Sequence, residues 1–327
     1  MALAGNVQAA EIRSVGPDGE AAVDASTIEL TDDQIAQIKE GGYTAAICLH
    51  YGGNDWSTSQ QKGLEDTFGE LGIEIVAVTD ANFSAETQVS NIETVMAKKP
   101  DILVSIPTDA TATADAYKQA AAAGIKIVFM DQRADGLEAG KDYVSVVSAD
   151  NYGNGYASGT VLGDALGGKG KVAMVYYDAN FAPTNQRDEG FRDAMKNYPD
   201  IEIVTEQGFT DESGCAEQGD AILTQFPNID GIYASWDVPM EGVLSAVRAA
   251  GMEGKVTLAC NDLGNNVARE IASGNIAGGG AQMPYDQGVA EAKLAALALL
   301  GEETPSYVAV PAETVTHENV LEAYTDV

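Results

Sequence analysis

The stretch Ile125–Arg133, IKIVFMDQR, decides the fold: a run dominated by Ile, Val, Phe and Met ends abruptly in Asp131, Gln132 and Arg133. A strand covered by helices on both faces reads as a nearly continuous apolar run, whereas a half-exposed strand alternates. In open α/β sheets, the residues just past the carboxyl ends of the strands line the ligand crevice. This short segment therefore bears on both the architecture and the site.

Outward from it, the same signature recurs at AAICLH (Ala45–His50), IEIVAV (Ile73–Val78), ILVSI (Ile102–Ile106) and YVSVVS (Tyr143–Ser148). Helix-length segments lie between them. Leu64, Phe68 and Leu71 recur at i, i+4, i+7, and Val89, Ile92 and Met96 at i, i+3, i+7, each a single apolar stripe. Strand–helix alternation predicts a parallel sheet with helices on both faces. The pattern restarts with KVAMVYY (Lys171–Tyr177), IEIVTEQGF (Ile201–Phe209), GIYASW (Gly231–Trp236) and VTLACN (Val256–Asn261), separated by helical stretches such as Ala216–Phe226 and Pro239–Ala250. An apolar helix, Gly288–Leu300, and the strand-like YVAVP (Tyr307–Pro311) finish the chain. The expected fold class is α/β: two Rossmann-like lobes with parallel sheets, facing each other as a clamshell. A length of 327 residues also exceeds what one core usually serves. Ahead of Tyr43 the chain is acidic and weakly periodic, and only Thr31–Glu40 reads as a helix, with Thr31 as cap and Gln34 at the capping-box position.

Composition narrows the function. Lys and Arg total 18 against 50 Asp and Glu, a formal charge of −32, which repels nucleic acid and anionic lipid. The cysteines, Cys48, Cys215 and Cys260, form no CxxC pair, so zinc and thioredoxin chemistry lack support. No apolar run reaches the roughly 18 residues of a membrane span. The opening MALAGNVQAA has neither the basic nor the long apolar region of a secretory signal. Phosphate-binding glycine patterns, a GxSxG elbow, HExxH and a Cys–His pairing are all missing from the sequence. A non-catalytic protein without cofactor or metal is expected.

The residues after the strands are His50 to Trp56, Asp131–Gln132–Arg133, Trp236–Asp237, Asn261–Asp262, and Gln282 after the run Ala277–Ala281. Aromatic faces pack on the C–H faces of a sugar or alditol; carboxylates accept from its hydroxyls, and carboxamides both donate and accept. Each residue also has a plainer reading. His50 can be a satisfied structural histidine, the tryptophans can be core, and Asp131 and Asp262 can be helix caps. Asp237, just before the Pro239 helix, reads as a cap, and His317 as surface.

From about Tyr43 to Pro311 the sequence resembles the ribose-binding-like periplasmic sugar-binding proteins, the substrate-capturing subunits of ABC importers. Asn54-Asp55-Trp56-Ser57 stands where that family has Asn-Pro-aromatic-aromatic, and Asp131-Gln132 stands where it has Asp-Arg. GGKGKVAMV (Gly167–Val175) resembles its lead into the second lobe, and RDEGF (Arg187–Phe191) its Arg-x-x-Gly-Phe. Trp236-Asp237 replaces an Asn-Asp, Asp262 matches the aspartate of Gly-Phe-Asp, and AQMPYDQG (Ala281–Gly288) matches Ala-Gln-x-Pro. The resemblance implies ligand contacts from His50, Asn54, Trp56, Asp131, Gln132, Arg133, Asn185, Trp236, Asp262 and Gln282, with Gln132 and Asn185 at positions where relatives keep arginines. A site losing cations and gaining an aromatic wall suits a neutral sugar or polyol.

The resemblance further implies a type I periplasmic binding fold closing about a three-segment hinge near Ala149–Asn151, Gln282–Pro284 and Val310-Pro311. Residues 1–42 are expected as an extension, 43–149 with 283–310 as lobe 1, and 150–282 with 311–327 as lobe 2. The opening residues alone leave either a cytoplasmic protein or one whose leader was removed; the resemblance implies an extracytoplasmic monomer, periplasmic or lipid-anchored at the cell surface, with an ABC permease as partner. The alternatives are sugar sensing for a membrane receptor or, further off, a carbohydrate-acting enzyme. A repressor of this fold would need a basic DNA-binding segment, and residues 1–40 hold only Arg13 and Lys39 as basic groups.

Overall fold

The computed structural model describes residues 11–326; the first ten residues of the extension, and Val327, lie outside them. The strands of the first sheet are β1 (Val23–Asp24), β2 (Thr44–Leu49), β3 (Glu74–Asp80), β4 (Ile102–Ser105), β5 (Lys126–Met130), β6 (Ser145–Ala149) and β12 (Tyr307–Val310). They lie in the order β1-β12-β6-β5-β4-β2-β3, every pair parallel. The second sheet holds β7 (Lys169–Tyr177), β8 (Asp200–Phe209), β9 (Gly231–Ala234), β10 (Thr257–Cys260), β11 (Gly278–Ala281) and β13 (Glu313–Thr316). Its order is β13-β11-β10-β9-β7-β8, parallel except for the antiparallel edge strand β13. The chain passes between the sheets after Ala149, after Ala281 and after Val310.

The central strands are mostly apolar because both their faces are covered. β4 and β6 are buried at every residue, and separate apolar clusters fill the two sides of each sheet. The covering helices of lobe 1 are α1 (Asp32–Gly41), α2 (Asp55–Glu70), α3 (Ala85–Ala97), α4 (Ala114–Ala122) and α10 (Pro284–Leu299). Those of lobe 2 are α5 (Asn151–Ala165), α6 (Ala182–Met195), α7 (Cys215–Gln225), α8 (Asp237–Ala249), α9 (Asn265–Ala272) and α11 (Val320–Asp326). Thr31 caps α1 with both capping-box bonds formed.

Each lobe contains a helix pair in close backbone contact, and glycine makes that approach possible. A Cβ on Gly155 of α5 would sit 1.8 Å from the Arg187 carbonyl oxygen, and one on Gly190 of α6 would sit 2.1 Å from that of Tyr152. Gly63 and Gly288 play the same part between α2 and α10, where a Cβ on either would sit 2.2 Å from a facing carbonyl oxygen.

The N-terminal segment belongs to the body of the molecule. β1 extends the lobe 1 sheet, and Ile38 of α1 is fully buried. Just before β1, the chain ties into lobe 2. Arg13 and Ser14 donate backbone N–H bonds to Asp150 at 3.0 and 2.8 Å, and the Ser14 hydroxyl accepts from Tyr152 N at 2.9 Å. All three cysteines are buried and unpaired. Among the described residues no helix is long and apolar enough to cross a membrane.

Candidate ligand cleft

The carboxyl ends of the two sheets face each other, and Asp131 after β5 and Asp262 after β10 take the same backbone form. Their φ angles are +56° and +69°, a left-handed conformation that costs an ordinary residue about 1–2 kcal/mol and that Asp tolerates better than most. Each is held there by its own N–H, donated across to the next strand: Asp131 to Val147 O at 2.7 Å, and Asp262 to Gly280 O at 2.9 Å. Such strain at matching positions in two lobes is the kind that functional sites store.

The two carboxylates are wired differently. Asp131 accepts from the Ser148 hydroxyl at 2.8 Å, and Ser148 in turn accepts from Asn151 Nδ2 at 2.9 Å. Burial raises the Asp131 carboxyl to about 6, with Ser148 and the Arg187 guanidinium pulling the other way. Asp262 accepts from Gln282 Nε2 at 2.7 Å and from Arg187 Nη1 at 3.1 Å. Arg187 also donates through Nε to Asn151 Oδ1 at 2.8 Å and through Nη1 to the Ser235 carbonyl at 3.2 Å. Asp237 is buried beside them; burial, then the neighbouring Asp262, pushes its carboxyl up.

Aromatic rings form the rest of the wall. Asn82 and Phe83 both take left-handed backbone, and Phe83 N–H donates to the His50 carbonyl at 2.8 Å. This turn stacks Phe83 on Tyr51 at 4.1 Å. Phe181 of lobe 2 lies parallel to the His50 ring at 5.8 Å, and Trp56 meets that ring edge-on at 5.7 Å. Tyr177 and Phe209 flank Trp236 at 5.6 and 5.1 Å. Burial drives the His50 imidazole down to about 3, so it is neutral at physiological pH. Its Nδ1 and the Trp56 indole nitrogen are buried without a hydrogen-bond partner. Native interiors rarely leave such groups unpaired, and both line the cleft. The space between these walls is narrow and partly open to solvent.

Seven of the ten expected positions meet around this space: His50, Asn54, Trp56, Asp131, Trp236, Asp262 and Gln282. Asn54 also caps α2, accepting from Ser57 N at 2.7 Å. The other three lie elsewhere. Gln132 turns away, donating to the Pro107 carbonyl at 2.9 Å and accepting from Ala182 N at 3.3 Å. Arg133 grips Asp18 of the N-terminal segment with bonds of 2.6 and 2.7 Å. Asn185 is exposed on the outer side of α6; two residues along a helix is a rotation of about 200°, and Arg187 takes the inward direction. The expected guanidinium of the site is therefore supplied by Arg187 and not by Arg133. Asp237, read as a cap, instead lines the cleft at the first position of α8 and accepts from the next residue's N–H. Sequence reasoning also passed over Tyr51, Phe83, Tyr177, Phe181, Pro183 and Thr184. Tyr51 and Tyr177 could have been found, since each directly follows or ends a strand-like run.

Residues 45–303 match the model of the periplasmic binding protein domain. The ribose import binding protein of Bacillus subtilis is 27% identical over 64% of this chain and 67% of its own length. The D-ribose/D-allose-binding protein of Pseudomonas aeruginosa is 29% identical over 80% of this chain and 83% of its own. Among solved structures, an ABC transporter periplasmic solute binding protein from Actinobacillus succinogenes with bound D-allose is 28% identical, with a TM-score of 0.79 over 86% of this chain and 99% of that one. A solute binding protein from Agrobacterium vitis bound with α-D-tagatopyranose is 26% identical, with a TM-score of 0.79 over 86% and 97%. The chain belongs to the periplasmic binding protein family, on the branch of ribose-binding-like, sugar-binding proteins of ABC importers.

Proposed function

We propose that the cleft captures one neutral monosaccharide or polyol outside the cytoplasm and presents it to an ABC permease, without catalysing a reaction on it. The observation that carries this reading is the constellation Asp131, Asp262 and Arg187 set between aromatic walls. Arg187 is already neutralised by Asp262, and Asp131 and Asp237 add acceptors without adding a cation. An anionic ligand would therefore be repelled, whereas hydroxyls find acceptors on both lobes. Trp56, His50 and Trp236 offer apolar surface to the C–H faces of the same ligand. Two relatives bind sugars of this kind, D-allose and α-D-tagatopyranose. Capture proceeds by closure: the ligand settles on one lobe, and the other then completes the shell and expels water.

A thermal-shift panel of pentoses, hexoses, pentitols, tetritols and sugar acids tests this. A neutral member at a hundred times its Kd should stabilise the protein by about 2.7 kcal/mol, read as a raised Tm. Preference for a sugar acid, or no response to any member, overturns the reading. Mass spectrometry of solute released on denaturation identifies the natural ligand independently.

A further inference from the structure

Two lobe 2 helices that begin at the cleft have no cap of their own. Gly264 precedes α9 and Phe181 precedes α6, and neither provides a side-chain cap bond. Thr31, Asn54 and Ser84 in lobe 1 and Asp150 in lobe 2 each cap the helix they precede, whereas α4 and α10 of lobe 1 have no side-chain cap. The first N–H of α9 and that of α6 are instead satisfied across the cleft. Asn265 N donates to Asp55 Oδ2 at 2.7 Å, and Ala182 N to Gln132 Oε1 at 3.3 Å. A side chain at position 264 would crowd the carboxylates there: a Cβ on Gly264 would sit 2.3 Å from Asp237 Oδ2 and 3.1 Å from Asp55 Oδ2. The Asp55 carboxylate also faces the positive end of the α9 dipole.

We infer that Asp55 and Gln132 are closure residues, which hold the ligand in by capping the helices of the opposite lobe, although neither lines the main cleft. Opening the lobes breaks both bonds and returns the two helix ends to water. The closed state alone contains these bonds, so they act on how long the ligand stays and not on how it arrives. The inference rests on the sugar-capture reading only for the choice of probe.

The test uses stopped-flow fluorescence of the chain's two tryptophans, Trp56 and Trp236, both at the cleft, with D-allose or D-ribose as the titrant. Asp55→Ala and Gln132→Ala should each raise koff roughly three- to ten-fold, the range of a lost cap. Their kon should stay within about two-fold of wild type, and the Tm of the sugar-free protein should not move. Asp55→Asn, which keeps an accepting oxygen, should restore most of the residence time. A wild-type koff in both alanine variants overturns the inference. So does a loss of affinity carried by kon, or a fall in sugar-free Tm as large as in the sugar-bound protein. If neither sugar binds wild type, the capture reading fails on its own account. The same koff comparison, run with the solute that mass spectrometry identifies in the wild-type protein, then decides: unchanged residence times in both alanine variants overturn the cross-lobe caps.

Discussion

Arg187 and Asp262 show how much a single residue's environment decides. Their side chains keep only 6% and 10% of their exposure, and desolvated partners of this kind are costly to separate, because the remaining charge is left buried alone. Arg187→Ala should therefore destabilise the protein by about 3–5 kcal/mol, measured as a lower urea midpoint, and abolish sugar binding. Asn185→Ala, two residues away but exposed on the other side of the helix, should leave Kd unchanged. Equal effects of the two in calorimetric titration would place the arginine outside the site. Burial sets a pH dependence as well. Asp131 and Asp188 are raised to about 6 and 7, and Asp237 is raised further still. In the window above the ordinary carboxylate value of 3.8 and up to these values, the folded protein binds more protons than the unfolded chain, so stability falls as pH rises. His50, lowered to about 3, acts in the opposite sense, losing stability as pH falls from about 6.5. Three carboxylates outweigh one imidazole. Sugar-free protein should melt higher at about pH 5 than at about pH 7.5, and a scanning-calorimetry optimum at the higher pH would contradict this account.

At the scale of elements, the α5–α6 contact delivers Arg187 to the cleft. Gly155 lets the α6 backbone approach at the level of Arg187 itself, where a Cβ would lie 1.8 Å from that residue's carbonyl oxygen. Gly155→Ala should force the helices apart, cost about 1–3 kcal/mol as overpacking does, and weaken sugar affinity beyond what the lost stability explains. A destabilised variant that still binds with wild-type Kd would show that helix spacing does not position the arginine. The same scale shows where linear reading of a motif fails. RDEGF marks α6 correctly, but which of its neighbours enters the cleft depends on helical phase, and that phase is fixed by glycine packing against α5. In the stretch Ile125–Arg133, the apolar half reads faithfully as β5. Its polar tail splits three ways, since Asp131 turns in, Gln132 reaches the other lobe and Arg133 pairs with Asp18.

Across the whole molecule, the chain crosses between its sheets after β6, β11 and β12, and the N-terminal segment adds a further tie from lobe 1 to Asp150 and Tyr152 of lobe 2. Sugar binding should compact the particle, and small-angle scattering should record a smaller radius of gyration with ligand than without. Identical profiles with and without a sugar that raises Tm would mean that capture proceeds without lobe movement. The acidity of the surface, a net −32, adds a general repulsion of anionic solutes and polyanions.

By itself the sequence determined the alternation of strands and helices, the two-lobed plan, and the strand ends at which Asp131, Asp262, Trp56 and Trp236 stand. Those features follow from apolar periodicity and strand grammar, which are local. Only the tertiary structure decided that Arg187 faces the ligand while Asn185 faces water, that Gln132 and Asp55 bridge the lobes, and that the N-terminal segment completes a sheet. Each of those depends on helix phase or on partners far away in the chain, and no local pattern encodes the distance between two lobes.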